Sequence, residues 1–238
     1  MTYRAPDPGR SLLMIAARSP IAGETKTRLG QAIGMEAASE LYCAFLTDLA
    51  DRFDPDAAAS DRLYDLAWTY SPPDRDFAAD LEATIGRPAP ASTIFVPQEG
   101  IEWGTRQLNL LQWGEKHGYA RTVLMASDSP HLLIADVESA FQVLETRDVV
   151  IGRVRDGGYY LIGMRRFVDV LSTVQMSTAS AAEAVVQTAE SLGLTIGETA
   201  PTFDVDEVSD LAMLVEILRR DPALCPTTLQ ALTRLRIA

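Results

Sequence analysis

The chain of 238 residues carries 33 acidic and 21 basic side chains, giving a net charge of −12. Such a charge repels nucleic acid, and no run approaches the roughly 18 apolar residues that a membrane helix needs. Two cysteines without a CxxC motif and two isolated histidines argue against a zinc site. We therefore expect a single domain over residues 1–238, located in the cytoplasm, without nucleic-acid or membrane partners.

Short apolar runs bounded by turn residues predict strands. In chain order these are residues 11–17, 63–69, 92–96, 121–126, 148–152 and 159–164. Apolar residues at i, i+3, i+4 and i+7 predict helices between them, the clearest on the face of Ala38, Leu41, Tyr42, Phe45, Leu46 and Leu49. Further helices are predicted over residues 76–85, 105–117, 135–146, 181–192 and 208–220.

This alternation of strands and helices predicts an α/β protein with a mainly parallel sheet covered by helices on both faces. The runs 148–152 and 159–164 are too close for an intervening helix, so they predict one antiparallel hairpin. In open α/β sheets, ligands bind outside the carboxyl ends of the strands. Functional residues are therefore expected in the loops that follow the strands.

The first such loop has the sequence RSPIAGETKTRLG, residues 18–30. It is not a P-loop, because Lys26 does not directly follow a second glycine as GxxxxGK[ST] requires. A turn at Gly23 leads to Lys26 and Arg28, where backbone N–H groups and two basic side chains could face an anion. Spacing alone favours the simpler interpretation, two solvated charges at the start of a helix.

The fourth predicted strand ends in Ser127-Asp128-Ser129-Pro130. A carboxylate at this position suits a hard divalent cation, which takes oxygen ligands and shares them with substrate phosphates. Capping of the next helix by Asp128 or Ser129 is an equally good interpretation.

Near the C-terminus, PTFDVDEVSDL places Asp204 and Asp206 two residues apart. Residues i and i+2 of an extended segment face the same side, so both carboxylates could reach one metal ion. The alternative is a helix N-terminus, where the macrodipole favours acidic residues.

Two glycine-containing loops complete the set. In VRDGGYYLIG, Asp156 precedes Gly157 and Gly158, which suits either close approach to a ligand or, as spacing favours, a plain hairpin turn. In EGIEWGTRQL, Gly104 and Arg106 are predicted in a loop that leads to a helix and could contact a ligand.

Taken in order, the motifs P-x-x-G-x-x-K-T-R-L, S-D-S-P, D-G-G-Y-Y-L-I-G and D-V-D-x-x-x-D-L resemble the DUF2064 family of proposed nucleotide-diphospho-sugar transferases. That family is similar to the glycosyltransferase A (GT-A) fold, to 2-phospho-lactate guanylyltransferase and to the enzyme of molybdopterin-guanine-dinucleotide synthesis. The resemblance extends from about residue 11 to about residue 218. It implies a GT-A, Rossmann-like sheet that binds a nucleotide and a divalent cation.

The resemblance also implies roles for individual residues. Those expected to line the nucleotide and phosphate site are Ala16, Gly23, Lys26 and Arg28. Mg²⁺ or Mn²⁺ would be held by Asp128 and Asp206, helped by Asp204. Residues expected to face the acceptor are Gly104, Arg106, Asp156, Gly157 and Gly158.

The implied activity is metal-dependent transfer from an activated nucleotide, with Lys26, Arg28 and Asp128 as catalytic residues. We expect glycosyl transfer from a nucleotide-diphospho-sugar to a small acceptor. One alternative is nucleotidyl transfer from a nucleoside triphosphate to a phosphorylated small molecule, with release of pyrophosphate. Another is a non-catalytic nucleotide-binding module, since a fold does not fix a function.

The sequence departs from the family pattern at four positions. Arg18 replaces a common lysine, Ala126 a glycine, His131 an aspartate and Met176 a tryptophan. These differences leave the acceptor side less well matched than the metal side.

Overall fold

The computed structural model describes residues 9–54, 62 and 64–237. The strands in these residues are β1 (Ser11–Arg18), β2 (Tyr64–Ser71), β3 (Ile94–Pro97), β4 (Arg121–Ala126), β5 (Val149–Arg153), β6 (Tyr159–Met164) and β7 (Ile196–Glu198). The helices are α1 (Thr27–Ile33), α2 (Met35–Phe53), α3 (Phe77–Ile85), α4 (Trp103–Lys116), α5 (Ile134–Thr146), α6 (Ala181–Ser191), α7 (Val208–Arg220) and α8 (Pro226–Arg234). None of these helices is long and apolar enough to span a membrane.

The seven described strands form one sheet in the order β3-β2-β1-β4-β6-β5-β7. Neighbouring strands are parallel except at β6, which runs antiparallel to both β4 and β5. The predicted α/β class, the mainly parallel sheet and the hairpin are confirmed.

β1 lies at the centre of the parallel part, and its side chains alternate between two cores. Leu13 and Ile15 belong to the core that also contains α2, whereas Leu12 and Met14 belong to the core on the other face, with α4 and α6. A strand covered on both faces needs an uninterrupted apolar sequence, which explains SLLMIAA. This packing fixes the carboxyl ends of β1 and β4 beside each other, with Ala16 opposite Ala126.

Several boundaries differ from the predictions. β2 extends to Ser71, while residue 63, predicted to begin it, lies outside the described residues. α4 begins at Trp103, two residues before the predicted start at residue 105. Gly104, predicted in a loop, therefore lies in the first helical turn together with Arg106, which the predicted helix already included. α8 and β7 were not predicted, and α1 was anticipated only as the start of a helix in the simpler interpretation of Lys26 and Arg28, without bounds.

Candidate active site

A cleft of about 330 Å³ lies along the carboxyl ends of β2, β1 and β4. It is closed by the start of α1, the first turn of α4 and the segment before α7. Its lining residues are Ala16, Ala17, Arg18, Glu24, Thr25, Lys26, Thr27, Arg28, Tyr42, Ser71, Gln98, Trp103, Arg106, Ala126, Ser127, Asp128 and Asp206. This is where an open α/β sheet is expected to bind its ligand.

One end of the cleft, next to β4, contains Lys26, Arg28, Asp128 and Asp206, and we call it the charged end. Lys26 Nζ lies 2.5 Å from Asp128 Oδ1 and 2.9 Å from Asp206 Oδ1, and donates to Val205 O at 2.8 Å. The lysine side chain is only 4% exposed, whereas each carboxylate is about a third exposed. Burial opposes the ammonium charge, but the two carboxylates outweigh it and raise the pKa of Lys26. Lys26 is therefore a buried cation between two carboxylates that still face the cleft.

The backbone at Lys26 adopts an unusual conformation. Lys26 immediately precedes α1 and has φ +51° and ψ +42°, the left-handed region. A non-glycine residue pays roughly 1 kcal/mol for this conformation. The bonds from Nζ to the two carboxylates offset that cost, so tertiary contacts hold Lys26 in a strained turn, as is common at functional sites.

Arg28 lies on the solvent side of Asp206 and contacts one of the two carboxylates that Lys26 contacts. Its Nη2 is 2.6 Å from Asp206 Oδ2, and its Nη1 is 3.3 Å from Glu207 Oε1. Burial opposes ionisation of Asp206, but the positive charges of Lys26 and Arg28 prevail and lower its pKa. Asp206 is therefore ionised at neutral pH.

Asp204, two residues earlier, makes different contacts. The Ser129 hydroxyl lies 2.8 Å from both Asp204 Oδ1 and Phe203 O. Burial, followed by the negative charge of Asp128, raises the pKa of Asp204 to about 7. Asp204 is thus adjacent to the charged end but is not bonded to Lys26, unlike Asp128 and Asp206.

The donor set at the charged end can be compared with the needs of a divalent cation. Among the described residues, no group of three or more acidic, histidine or cysteine side chains is arranged to hold a metal ion. Asp128 and Asp206 nevertheless converge on one cation, the Lys26 ammonium. Mg²⁺ in nucleotide sites is commonly bound by one or two carboxylates, the rest of its shell coming from water and phosphate. Two converging carboxylates fit that requirement.

Tyr42, on α2, connects the strands beneath the charged end. Its hydroxyl accepts from the backbone N–H of Arg18 at 3.0 Å and lies 2.7 Å from Ser127 Oγ. Burial is the main cause that raises the pKa of Tyr42 to about 12. The neutral phenol therefore ties the end of β1 to the residue that precedes Asp128.

The opposite end of the cleft, next to β3, contains Ser71, Gln98, Trp103 and Arg106, and we call it the amide end. Gln98 is 4% exposed, and its Nε2 donates to Ala17 O at 3.2 Å and Thr69 O at 3.1 Å. Arg106 donates to Gly100 O, Ile101 O and Ser71 Oγ. The guanidinium of Arg106 thus holds the loop between β3 and α4 against the end of β2.

A second cavity of about 230 Å³ adjoins the charged end. Its lining residues are Arg28, Val154, Arg155, Asp156, Phe203, Asp204, Asp206, Glu207, Asp210 and Met213. Arg28 and Asp206 line both spaces. Two reactants placed in the two spaces would therefore meet beside Asp206.

The residues predicted to face an acceptor are spread over different surroundings. Asp156 lines the second cavity, and its Oδ1 accepts from the backbone N–H of Gly158. Gly157 has φ +91°, and a side chain there would collide with Ala179 O. Gly104 is buried in α4 against Met176, and it lines neither space. Their roles toward an acceptor stay predictions.

The predicted nucleotide residues lie at or near the cleft. Ala16, Lys26 and Arg28 line it, whereas Gly23 lies in the turn before Lys26, with φ +81°. Gln98 and Trp103 were missed. A polar residue at the carboxyl end of a predicted strand was an available signal for Gln98, since that is where ligands bind in such sheets.

Residues 56–178, more than half of the chain, match the model of DUF2064, a family described as uncharacterized proteins conserved in bacteria. The chain belongs to the DUF2064 family. No curated protein matches its sequence significantly.

Solved structures extend this comparison to the rest of the DUF2064 chain. A protein from Desulfovibrio desulfuricans G20 described as a proposed nucleotide-diphospho-sugar transferase is 29% identical, with a TM-score of 0.82 over 94% of this chain and 96% of that one. A nucleotidyl transferase from Methanothermobacter thermautotrophicus is 12% identical, with a TM-score of 0.56 over 89% and 98%. CMP:2-keto-3-deoxy-manno-octonic acid synthetase in complex with CTP is 14% identical, with a TM-score of 0.51 over 89% and 99%. At their low identity, the last two likenesses concern the fold.

Proposed function

We propose that this DUF2064 protein is a transferase that binds an activated nucleotide with Mg²⁺ or Mn²⁺ in the cleft, and that it transfers a glycosyl group from a nucleotide-diphospho-sugar. The observation that carries this proposal is that Asp128 and Asp206 converge on one cation, the Lys26 ammonium, at the carboxyl end of β4. The relative of 29% identity, described as a proposed nucleotide-diphospho-sugar transferase, supports a transferase-type enzyme.

In this proposal, Asp128 and Asp206 would hold the divalent cation, which would supply positive charge beside the diphosphate of the nucleotide. Lys26 is released from the two carboxylates and turns toward the phosphates, since its long side chain already reaches the cleft. Arg28, exposed at the mouth, adds a second positive charge. Both side chains then stabilise negative charge that develops on the leaving group.

The second cavity would hold the acceptor. An acceptor hydroxyl oxygen forms a bond to the anomeric carbon of the sugar, while the bond from that carbon to the diphosphate oxygen breaks. The nucleoside diphosphate leaves with the bonding electrons, and the hydroxyl proton passes to solvent. The shared wall of Arg28 and Asp206 places this exchange between the two spaces.

Nucleotidyl transfer is the second candidate, and the two basic side chains at the charged end favour it. An acceptor phosphate would attack the α-phosphorus of a nucleoside triphosphate, and pyrophosphate would leave with the electrons of the broken P–O bond. Lys26 and Arg28 would face the departing pyrophosphate, where a lysine and an arginine both bind phosphate well.

The test begins with binding. Melting temperatures are measured with Mn²⁺ and the diphosphates and triphosphates of adenosine, guanosine, cytidine and uridine, because a ligand at 100 times its Kd stabilises a protein by about 2.7 kcal/mol. Release of nucleoside diphosphate from nucleotide sugars is then compared with release of pyrophosphate from triphosphates. Diphosphate release alone supports glycosyl transfer, and pyrophosphate release alone supports nucleotidyl transfer. If no nucleotide raises the melting temperature, both candidates are wrong.

A further inference from the structure

The side-chain amide of Gln98 has only one chemically sensible orientation. Its nitrogen lies within hydrogen-bond distance of two backbone carbonyl oxygens, Ala17 O and Thr69 O. A carbonyl oxygen accepts and cannot donate, so the Nε2 donor must face both of them. The amide oxygen of Gln98 is thereby fixed on the other side.

That oxygen, Oε1, accepts no hydrogen bond from any described residue, although the Gln98 side chain is almost wholly buried. Oε1 is not one of the fully buried side-chain atoms that lack a partner, so it is open to solvent. Because Gln98 lines the cleft, Oε1 is an oriented acceptor that a ligand can reach. Buried polar groups of this kind normally have a partner.

Ser71 provides a donor beside this acceptor. Tyr70 O accepts from the backbone N–H of Gln98 at 2.8 Å, which places Ser71 next to Gln98 across β2 and β3. Ser71 Oγ accepts from Arg106 Nη1 at 3.3 Å, so the hydroxyl hydrogen remains to be donated. The amide end thus offers one acceptor and one donor side by side.

Trp103 adds an aromatic surface to the same end. It lines the cleft, and 37% of it is exposed, an unusual state for so large an apolar side chain. The loop before it is fixed by the bonds from Arg106 to Gly100 O and Ile101 O. A ring held in this way is suited to stack on a flat partner, with only two side-chain torsions to order.

The strand order separates the two ends of the cleft. β3 and β4 are three strand spacings apart, roughly 14 Å at about 4.8 Å per spacing. The charged end suits phosphate, and the amide end offers what a flat heterocycle with polar edges requires. An extended nucleotide would span the two ends.

We propose that Gln98, Ser71 and Trp103 form the nucleobase site: Trp103 stacks on the base, Gln98 Oε1 accepts from a ring or exocyclic N–H, and Ser71 donates to a neighbouring acceptor on the base. This assignment rests on the proposed nucleotide-dependent function and makes Gln98 the residue that selects among bases.

The test measures Kd by calorimetry for ADP, GDP, CDP, UDP and inorganic pyrophosphate, each with Mn²⁺. Trp103→Ala is expected to weaken binding of the preferred diphosphate by about tenfold while leaving pyrophosphate unchanged, since stacking acts on the base alone. Trp103→Phe should recover much of the loss. Ile101→Ala is the matched control, because Ile101 lies two residues away, is 94% exposed and does not line the cleft.

Gln98→Met keeps the length of the side chain but removes the acceptor, together with the two bonds that Nε2 donates to Ala17 O and Thr69 O. We expect the ratio of Kd values between the preferred base and the others to fall by about tenfold, with pyrophosphate binding retained. If Gln98→Met does not fold, the Kd values of Trp103→Ala and Trp103→Phe still test the base site. If the Trp103 and Gln98 variants lose equal affinity for diphosphate and pyrophosphate, or lose none, the base site is wrong. The proposal that the cleft binds a nucleotide would still stand. Absence of nucleotide binding by the unmodified protein would overturn the proposed function as well.

Discussion

The two ends of the cleft are stabilised by different forces. At the charged end, Lys26 compensates Asp128 and Asp206 at distances of 2.5 and 2.9 Å, so the arrangement depends on charge. At the amide end, Gln98 satisfies two backbone carbonyls through neutral hydrogen bonds. Charge interactions weaken with salt, and the cation in them can be replaced by another cation. Neutral buried hydrogen bonds depend little on salt and involve no exchangeable ion. Under the proposed function, the charged end would exchange its cation, whereas the amide end would keep its arrangement.

The largest expected effect is on activity at the charged end. Asp128→Asn preserves shape but removes the charge that the proposed cation needs, so turnover should fall at least a hundredfold, the scale of losing one electrostatic stabiliser. Calorimetry should show that binding of Mn²⁺ with nucleotide is lost in parallel. Asp80→Asn is the control, because Asp80, on α3, pairs with Arg75 and does not line the cleft. Undiminished turnover in Asp128→Asn would remove Asp128 from the mechanism.

The next effect concerns the exchange of cations. Lys26→Met leaves Asp128 and Asp206 facing each other without the ammonium, which should lower the free energy of unfolding by about 2 kcal/mol. Removing one partner of a buried pair costs 3–5 kcal/mol, and the partial exposure of both carboxylates reduces that value. Mn²⁺ without nucleotide should stabilise the variant more than the unmodified protein, since it no longer competes with Lys26.

Denaturant unfolding with and without Mn²⁺ measures this difference. Lys116→Met is the matched control, because the ammonium of Lys116 is exposed and, within the part of the chain that the structure describes, bonds only to Gln112 Oε1. A smaller Mn²⁺ effect in Lys26→Met than in the unmodified protein would show that the lysine and the metal ion do not share a site.

Gln98→Met, a substitution without a change in charge at the amide end, tests whether the two ends of the cleft differ in salt dependence. Gln98→Met removes the hydrogen bonds to Ala17 O and Thr69 O and should cost about 1–2 kcal/mol of stability. Because no charge is involved, this loss should be the same at about 0.1 M and about 1 M salt. The Lys26→Met loss should shrink, because salt screens the repulsion between the two partly exposed carboxylates that remain. Gln187→Met, at an exposed residue of α6 that bonds to Glu183, is the control. Equal salt dependence in the two variants would erase the distinction between the ends.

The sequence predicts the charged end better than the amide end. Lys26, Arg28, Asp128 and Asp206 occur in short motifs whose order carries the resemblance, so they could be found without coordinates. The role of Gln98 depends on carbonyls 81 and 29 residues away along the chain, Ala17 O and Thr69 O, which no local pattern reveals. The contact of Tyr42 with Ser127 likewise spans 85 residues.

The same reasoning explains the missed elements of the fold. β1 and β4 are continuous apolar runs because both faces are covered, and such runs are easily predicted. β7 has three residues, none fully buried, and so lacks an apolar pattern. α1 has seven residues and buries only Leu29 and Gly30. Two adjacent buried positions do not produce a helical period of apolar residues in the sequence. α8 begins at Pro226, and a proline in the first helical turn was a usable signal.

The smallest expected effect separates the two basic residues of the charged end. Arg28 is 61% exposed, although it contacts Asp206 at 2.6 Å, much as Lys26 does. Exposed ion pairs contribute about 0–1 kcal/mol, so Arg28→Gln should change stability by less than about 1 kcal/mol, and high salt should abolish the change. Denaturant unfolding at low and high salt measures it beside Lys26→Met. A loss as large as that of Lys26→Met would mean that proximity to Asp206, and not burial, determines stability at this end. A small loss would mean that the ion pair with Asp206 holds Arg28 only weakly. Such a side chain can move, which suits a residue that lines both spaces and would contact phosphate only when a nucleotide is bound.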